Sequence, residues 1–498
     1  MRHEKLSEAL NEISDRHIAE AADTKRRAPR SPWIGAVAAV LAVVILVAAV
    51  YRPAVSSPSA DAPADSPAAA APPEEAQPAD VESVLNGISL LSSHFEASPD
   101  YPKMGKFDGY DWGPYYEGHR QQYTQPENFA AGTEDFFRSS MQQLLLSEDE
   151  NQVYSPLNTY MALALLAEST GGDSRQQVLS LLGADTIDSL RTQAGHMWNA
   201  HYCDDGLSVS LLGNSLWLDE AYSFDSDTVN TLSDDYYASV YHGDLGSDGS
   251  NHILHRWINL LTGGLLQEQA NNFNLQQDSM LALVSTIYYN TAWEQEFYEG
   301  NHTEDTFYAP AGDITTTYMN QTTQATYYWG EDFSAVPLRL MDGNKMWLIL
   351  PDEGYTPAQI VESGHILDLV LEDAEACENQ ARPLIHLSLP KFDVACETDL
   401  IEPMKALGIT DVFDGNAADF SALVTEKEQP YLAQMSHAAR VMIDEHGVTG
   451  AAFTAMDAAA ADAPPPDEEI YFTLNRPFLF VIESRGGVPV FCGIVNEP

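Results

Sequence analysis

Residues 283–293 read LVSTIYYNTAW, and the pattern of Ala282–Tyr289 is interpreted as that of a β-strand. A second segment of this kind covers Ser208–Leu218. Apolar runs at Met346–Leu350 and Pro383–Leu389 are typical of strands that are buried on both faces. These segments predict several strands spread over more than half of the chain.

Helical periodicity separates these strands, at Phe129–Leu146 and at Met161–Leu182, where Gly171–Gly172 marks a turn. The chain closes with two apolar segments, Phe478–Ser484 and Pro489–Val495, which predict a terminal strand pair. Because helices and strands do not follow a regular β-α-β order, we predict an α+β fold with a large mixed central β-sheet.

The N-terminal part carries an apolar run, Trp33–Tyr51, without any charged side chain. At about 1.5 Å per residue the run is long enough to cross the hydrocarbon layer as a helix. The basic cluster Lys25–Arg30 precedes it and places residues 1–32 in the cytoplasm. We therefore expect a single-pass protein of the cell membrane with its folded domain outside. A cleaved signal peptide is the alternative, because small residues follow Tyr51, and the domain is then secreted.

Residues 52–126 form the predicted link between the membrane and the folded domain. The first part is rich in Pro, Ala, Ser, Asp and Glu and predicts an extended spacer. The second part, 81–126, is rich in aromatic residues, and its pattern assigns it no role. The folded domain is predicted to cover residues 127–498.

The formal charge of the chain is −50. Such an acidic surface is repelled by phosphates, so we expect no nucleic-acid partner. The four cysteines show no CxxC spacing, which disfavours a zinc or redox site. Cys492 lies in an apolar run and is predicted to be a buried strand residue, whereas Cys377 and Cys396 could form a disulfide outside the cell.

Catalytic motifs are absent from the sequence, which contains no HExxH, no GxSxG, no P-loop and no GxGxxG after a strand. The 14 histidines are dispersed and lack a supporting set of acidic ligands. We therefore expect no catalytic residue, no metal ion and no cofactor, and we expect the chain not to be an enzyme.

Nine segments resemble, in the family's own order, those of the serpins, a family of serine protease inhibitors. They are Asn151–Asn158, Leu283–Trp293, Ile385–Phe392, Leu407–Phe413, Ala418–Ser421, Ser436–His437, Asp444–Ala452, Asn475–Phe478 and Phe491–Pro498. The resemblance covers about residues 127–498. It implies a monomer with a serpin-like fold, a large mixed central sheet, further sheets, about nine helices and an exposed reactive-centre loop at about 445–470. We expect a membrane-anchored member of bacterial origin.

The resemblance also implies a mechanism: a protease cleaves the loop, forms an acyl-enzyme with it, and is trapped when the loop inserts into the central sheet as a new strand. The hinge of the loop is then formed by Glu445, Gly447, Val448, Thr449, Gly450, Ala451 and Ala452. The residues that gate the sheet are Ser155, Asn158, Ser285, Trp293 and His437. Asn158 and Ser285 depart from the serine and asparagine usual in the family, but their polar groups could still satisfy one another within this set.

A loop that inserts as a strand has side chains that point alternately to the two faces of the sheet, and one of the two sets faces the core. Counted from Gly447, the inward set contains no charge, and the charge of Asp457 falls on the outward face. The inward set is Val448, Gly450, Ala452, Thr454, Met456 and Ala458.

The cleaved bond is predicted from the family's spacing after Glu445, which places it between Ala461 and Asp462. Counting back from Pro477 places it several residues later, near Pro466, so the loop is longer than usual. Residues 458–461 are all alanine, which suits elastase-like or subtilisin-like serine proteases outside the cell. A non-inhibitory binding module and an inhibitor of a cysteine protease are the alternatives.

Overall fold

The computed structural model describes residues 88–92, 124–205, 208–262, 265–276, 280–371, 374–426, 430–448 and 468–498. The predicted cytoplasmic segment, the predicted membrane span 33–51 and the predicted spacer up to residue 87 lie outside the described residues. So does the reactive loop from 449 to 467. Among the helices that are described, none has the length and apolar character needed to cross a membrane.

Ten α-helices lie in the described ranges. They are α1 (Glu134–Leu144), α2 (Pro156–Ser169), α3 (Gly172–Leu181), α4 (Ile187–His201), α5 (Ser226–Asp234), α6 (Asp248–Leu261), α7 (Gln267–Asn272), α8 (Pro357–Ser363), α9 (His365–Leu371) and α10 (Ile401–Ala406). Only Gly364, in the left-handed conformation, separates α8 from α9. The prediction of about nine helices is confirmed.

The strands of the same ranges number nineteen. They are β1 (Ile88–Ser92), β2 (Gln152–Tyr154), β3 (Cys203–Asp204), β4 (Val209–Asp219), β5 (Ser239–Gly243), β6 (Leu281–Ala292), β7 (Thr303–Ala309), β8 (Gly312–Gln324), β9 (Tyr327–Trp329), β10 (Phe333–Arg339), β11 (Lys345–Pro351), β12 (Gln380–Ala381), β13 (Leu384–Pro390), β14 (Phe392–Asp399), β15 (Gln434–Ile443), β16 (Gly447–Val448), β17 (Glu469–Thr473), β18 (Phe478–Glu483) and β19 (Pro489–Val495).

The largest sheet has eight strands in the order β1-β5-β4-β6-β16-β15-β14, and β3 pairs with β4 outside this path. It is mixed, because β6 runs parallel to β15 but antiparallel to β4 and β16. The other sheets have the orders β12-β9-β10-β11-β18-β19-β2 and β17-β13-β8-β7. The predicted α+β fold with a large mixed central sheet is confirmed.

Helix α2 is buried along its whole length. Its residues Met161–Ala167 are entirely apolar, and a helix that is apolar on all sides is stable only inside a protein. Pro156 opens its first turn, where no backbone donor is needed, and the Ser155 hydroxyl caps it by accepting a hydrogen bond from the Asn158 backbone N–H (3.0 Å). The helix packs against β4, β6 and β19, so its start lies beside the middle of the central sheet.

Three local predictions are revised by the structure. The helix predicted from Phe129 begins at Glu134, because residues 127–132 form turns that end at Gly132 with a φ of +86°. Part of the unassigned extension, β1, pairs antiparallel with β5 at the edge of the central sheet. All four cysteines are free, so Cys377 and Cys396 do not form a disulfide, while Cys492 is buried in β19 as predicted.

The hinge and gate of the central sheet

Strand β16 is a two-residue wedge between β6 and β15. Gly447 lies opposite Ala292, and Val448 lies opposite both Thr291 on β6 and Ile443 on β15. Further along, β6 and β15 pair directly with each other, in parallel, over Ala282–Thr286 and Gln434–Ala438. We call this direct pairing the seam. The first two residues of the predicted loop insertion are therefore already part of the sheet, and the seam is closed beyond them.

Glycine is the one residue type that fits at position 447 in the wedge. A Cβ atom there would lie 2.2 Å from the carbonyl oxygen of Thr291 and 2.7 Å from the Cα atom of Ala292, and both are backbone atoms of β6. Val448, the next residue, is completely buried. The hinge thus approaches β6 as closely as a backbone without a side chain allows.

The turn at residues 444–446 is held by its own aspartate and by the chain that follows β6. The Asp444 carboxylate accepts hydrogen bonds from the backbone N–H groups of His446 (2.8 Å) and Gly447 (3.1 Å). The Trp293 indole donates to the Asp444 carbonyl (2.9 Å), and the Trp293 backbone N–H donates to the His446 carbonyl (2.9 Å). Trp293 therefore fixes the turn and contacts the hinge, not the seam.

Glu445 forms an ion pair with Lys391, which lies between β13 and β14. Burial raises the pKa of the Glu445 carboxyl, but the hydrogen bond from Lys391, with smaller backbone and charge effects, outweighs burial and leaves the pKa below its ordinary value. Lys391 was not among the predicted site residues, although it stands in the Leu-Pro-Lys-Phe segment of β13 and β14. The ion pair ties the hinge to a third part of the sheet.

His437 lies on β15 at the seam and is completely buried. Its Nε2 atom accepts a hydrogen bond from the backbone N–H of Ser155 (3.0 Å), and its Nδ1 atom lies 2.9 Å from the Ser285 hydroxyl on β6. Because Nε2 accepts, the proton of the neutral ring is on Nδ1 and is donated to Ser285. Burial lowers the pKa of His437 to about 4, so the ring is neutral near pH 7.

Asn158 reaches β6 by a separate route. Its Nδ2 atom donates to the Thr286 carbonyl oxygen (2.8 Å), and its Oδ1 atom accepts from the side chain of Asn214 on β4 (3.2 Å). The structure therefore brings Ser155, Ser285 and His437 into contact, and it joins Asn158 to Asn214, which the sequence analysis missed. The sequence signal that could have identified Asn214 was a polar amide within the largely apolar segment Ser208–Leu218.

The other predicted hinge residues, Thr449, Gly450, Ala451 and Ala452, lie outside the described residues, as do Ala461 and Asp462 of the predicted cleavage site. The sequence analysis predicted no metal ligands. The structure nevertheless brings Glu299, Glu445 and His446 together beside the hinge, with one ligand atom of each within 4.8 Å of the others.

Replacing Gly447 by Ala should destabilise the hinge, because the new Cβ atom forces the backbone of β6 to move. The expected loss is about 1–3 kcal/mol of unfolding free energy, the usual cost of overpacking. Gly195→Ala is the matched control, since Gly195 lies in helix α4 with nothing within 4 Å of a Cβ atom. Equal stability of both variants in urea titrations would contradict the close approach.

Protonation of His437 should destabilise the fold as pH falls. The ring has a pKa of about 4 in the folded chain and 6.5 as its ordinary value. The unfolded chain therefore binds more protons between these values, and the stabilisation present above pH 6.5 is lost progressively down to pH 4, by about 3 kcal/mol.

The measurement is unfolding free energy against pH for the native chain and for His437→Gln. The variant should be less stable at pH 7 and should show a shallower slope between pH 6.5 and 4. Buried His201, whose pKa burial also lowers to about 4, keeps part of the slope in both proteins. Exposed His252→Gln serves as a control, and an unchanged slope in His437→Gln would count against the assignment.

A protein-family model described as serpin (serine protease inhibitor) matches residues 131–498. This finding replaces the expectation that the chain is not an enzyme with a narrower statement. The description of the model concerns an action on proteases. It does not address catalysis by the chain itself. The statement that stands is the narrower one, that the matched model is described as a serine protease inhibitor.

Similar proteins cover the same part of the chain. Plasminogen activator inhibitor 1 of Bos taurus is 28% identical over 401 residues, which span 75% of this chain and 94% of that protein. Its eukaryotic source lends no support to the predicted bacterial origin or to membrane anchoring, and both stay predictions.

Two solved structures share the fold. The thermophilic serpin tengpin in its native state matches with a TM-score of 0.67, 23% identity and coverage of 75% of this chain and 95% of that one. Native protease nexin-1 with heparin matches with a TM-score of 0.65, 21% identity and coverage of 75% and 100%. With the family model matched over most of its length and the hinge and gate in place, the chain belongs to the serpin family.

Proposed function

We propose that the chain inhibits an extracellular serine protease that cleaves after small residues, by inserting its cleaved loop into the central sheet. The observation that carries this proposal is the wedge β16, which already occupies the position of a new strand between β6 and β15. Family membership supports the inhibitory action in general, and the wedge supports insertion as its mechanism in this chain.

The register of the wedge predicts where each inserted residue would lie. Val448 is opposite Thr291 and Ile443, and each further loop residue moves one position back along both strands. Thr454 would then lie between Ser285 and His437. These two residues are opposite each other in the seam, so the two sides of the wedge predict the same register independently.

The side chains of the loop suit this register. Ala452 would lie between Ile287 and Ala439, which are both buried, on the same face as buried Val448. Its neighbour Ala451 would lie on the other face, between Tyr288 and Arg440, which are only partly buried. The inward positions therefore require small or apolar side chains, as this sequence has.

Insertion would also separate Ser285 from His437 and break their hydrogen bond. Thr454 would arrive between them on the same face, with a hydroxyl group that can both donate and accept. A polar loop residue would thus meet the polar pair of the seam, which avoids leaving buried groups without partners. Asn158 and Ser285, although unusual for the family, are compatible with this exchange.

The covalent step takes place in the target protease. Its serine hydroxyl attacks the carbonyl carbon of Ala461, the peptide bond to Asp462 breaks, and the departing amine takes up the proton. The ester that remains would be carried away with the inserting strand before water hydrolyses it. Residues 458–461 are alanine and no Lys or Arg lies between Arg440 and Arg476, so proteases that accept small residues are the proposed targets.

The proposed location is the outer face of the cell membrane, with Trp33–Tyr51 as the anchor. The apolar run and the basic cluster before it support this orientation. Cleavage after the run would release the inhibitor instead. The proposed partner remains one target protease for each inhibitor chain.

Mixing the full-length chain, purified in detergent, with elastase, subtilisin or trypsin tests the inhibitory function. We expect a complex that survives denaturing electrophoresis with elastase or subtilisin but not with trypsin. Mass spectrometry of the released C-terminal peptide identifies the cleaved bond, expected between Ala461 and Asp462. Papain, added as a fourth enzyme, tests the cysteine-protease alternative.

Cleavage by elastase or subtilisin without a stable complex, and without an increase in Tm after cleavage, would contradict the inhibitory mechanism. That result would favour the non-inhibitory binding module. An increase in Tm without a complex would instead locate the failure in the timing of insertion, and it too would contradict inhibition of the tested enzyme.

Two neighbouring substitutions test the register. Ala452→Asp would place an unpaired carboxylate between Ile287 and Ala439, at a cost of several kcal/mol to insertion. Ala451→Asp is the matched control, because its carboxylate would lie on the outer face beside Arg440. We expect the number of inhibitor molecules consumed per trapped protease to rise by about tenfold or more for Ala452→Asp, and to stay near the native value for Ala451→Asp. The reverse order would show that the register is shifted by one residue.

A further inference from the structure

The hinge turn carries two metal-ligating side chains, Glu445 and His446, and a third, Glu299, lies beside them. One ligand atom of each lies within 4.8 Å of the others. Glu299 belongs to the 3₁₀ turn Glu299–Asn301, which follows β6. The three residues therefore join two chain segments that are about 145 residues apart in the sequence and meet only in the folded protein.

A third carboxylate, that of Glu296, lies beside the imidazole of the cluster. The Oε2 atom of Glu296 lies 3.4 Å from the Nδ1 atom of His446. The other oxygen of Glu296, Oε1, is buried and has no hydrogen-bond partner in the described part of the chain. A buried carboxylate oxygen without a donor is costly, and a cation would remove that cost if the Glu296 carboxylate turned this oxygen toward it.

The charges at the cluster also favour a cation. Lys391 forms an ion pair with Glu445 and so compensates one of the three carboxylates. Glu296 and Glu299 remain as two formal negative charges beside the His446 imidazole. Since a carboxylate accepts through both of its oxygens, Glu445 can keep Lys391 on one oxygen while the other contacts an ion.

We propose that Glu299, Glu445 and His446, with Glu296 as a fourth ligand, bind a divalent transition-metal ion. One imidazole and several carboxylates form a ligand set that suits Zn²⁺ and related ions. Ligand bonds of about 2.0–2.2 Å require the ligand atoms to come closer together than 4.8 Å. Glu299 is exposed, so its side chain can make that movement without disturbing the core.

The ion would fix the hinge turn to the chain that follows β6. The turn is immediately followed by Gly447 and Val448, so fixing it holds the wedge in the sheet. This consequence rests on the proposed inhibitory function. With the wedge held, insertion should start sooner after cleavage, and fewer inhibitor molecules should be hydrolysed for each protease that is trapped.

Binding is tested without any protease. The full-length chain, purified in detergent without a polyhistidine tag, is titrated with Zn²⁺ by calorimetry, and Tm is measured with Zn²⁺ and with EDTA. We expect one tight site and a Zn²⁺-dependent increase in Tm. In His446→Ala and Glu299→Gln the affinity should fall by about tenfold or more, while His252→Ala, an exposed histidine elsewhere, should bind as the native chain does.

Equal Tm values in EDTA would establish that the variants fold. Absence of the tight site in the native chain, or equal affinity in all four proteins, would overturn the proposal.

The effect on inhibition is measured separately, as the number of inhibitor molecules consumed per trapped elastase or subtilisin. Zn²⁺ should lower this number for the native chain, and should not change it for His446→Ala. No effect of Zn²⁺ on the native chain would overturn the link between the ion and insertion. If neither protein traps a protease, the proposed function fails, while the calorimetric result still decides whether the metal site exists.

Discussion

The parallel pairing of β6 with β15, wedged open at one end by Gly447 and Val448, is the constraint on which the rest of the structure depends. A seam between two strands carries one row of backbone hydrogen bonds, whereas a strand inserted into it carries two. The proposed insertion would therefore gain a row of hydrogen bonds and bury loop side chains as well. In the proposed mechanism the seam would stay closed until a protease cleaves the loop.

The polar groups at the seam determine how firmly it is closed. His437 is buried where a charged ring would be costly, and its neutral form is held by one backbone donor and one hydroxyl acceptor. Asn158 adds a bond from the buried helix α2 to the carbonyl of Thr286. Such bonds contribute modestly when formed but are expensive to leave unmade, so in the proposed mechanism the seam would open only when a strand replaces them.

Charge is concentrated at the other end of the wedge. Glu445 is tied to Lys391, Asp444 organises its own turn, and Glu296 and Glu299 face His446. In a chain with a formal charge of −50 a local excess of carboxylates is common, but here the excess lies at the residues where the loop enters the sheet. In the proposed mechanism, this position would connect charge compensation at the cluster with the movement of the hinge.

The sequence alone determined the elements whose signal is local. The strand-like pattern of Ala282–Tyr289 predicted β6, and the apolar terminal segments predicted β18 and β19. The resemblance predicted a hinge from Glu445 to Ala452, which stays a prediction. Only the tertiary structure decided the pairing of β1 with β5, the contact of Lys391 with Glu445, the role of Asn214 and the approach of Glu299 to His446. The physical reason is that periodicity depends only on neighbouring residues along the chain, and it indicates which face of a strand or helix is buried. The partner across the sheet is set by strand register and packing between segments that are far apart in the sequence.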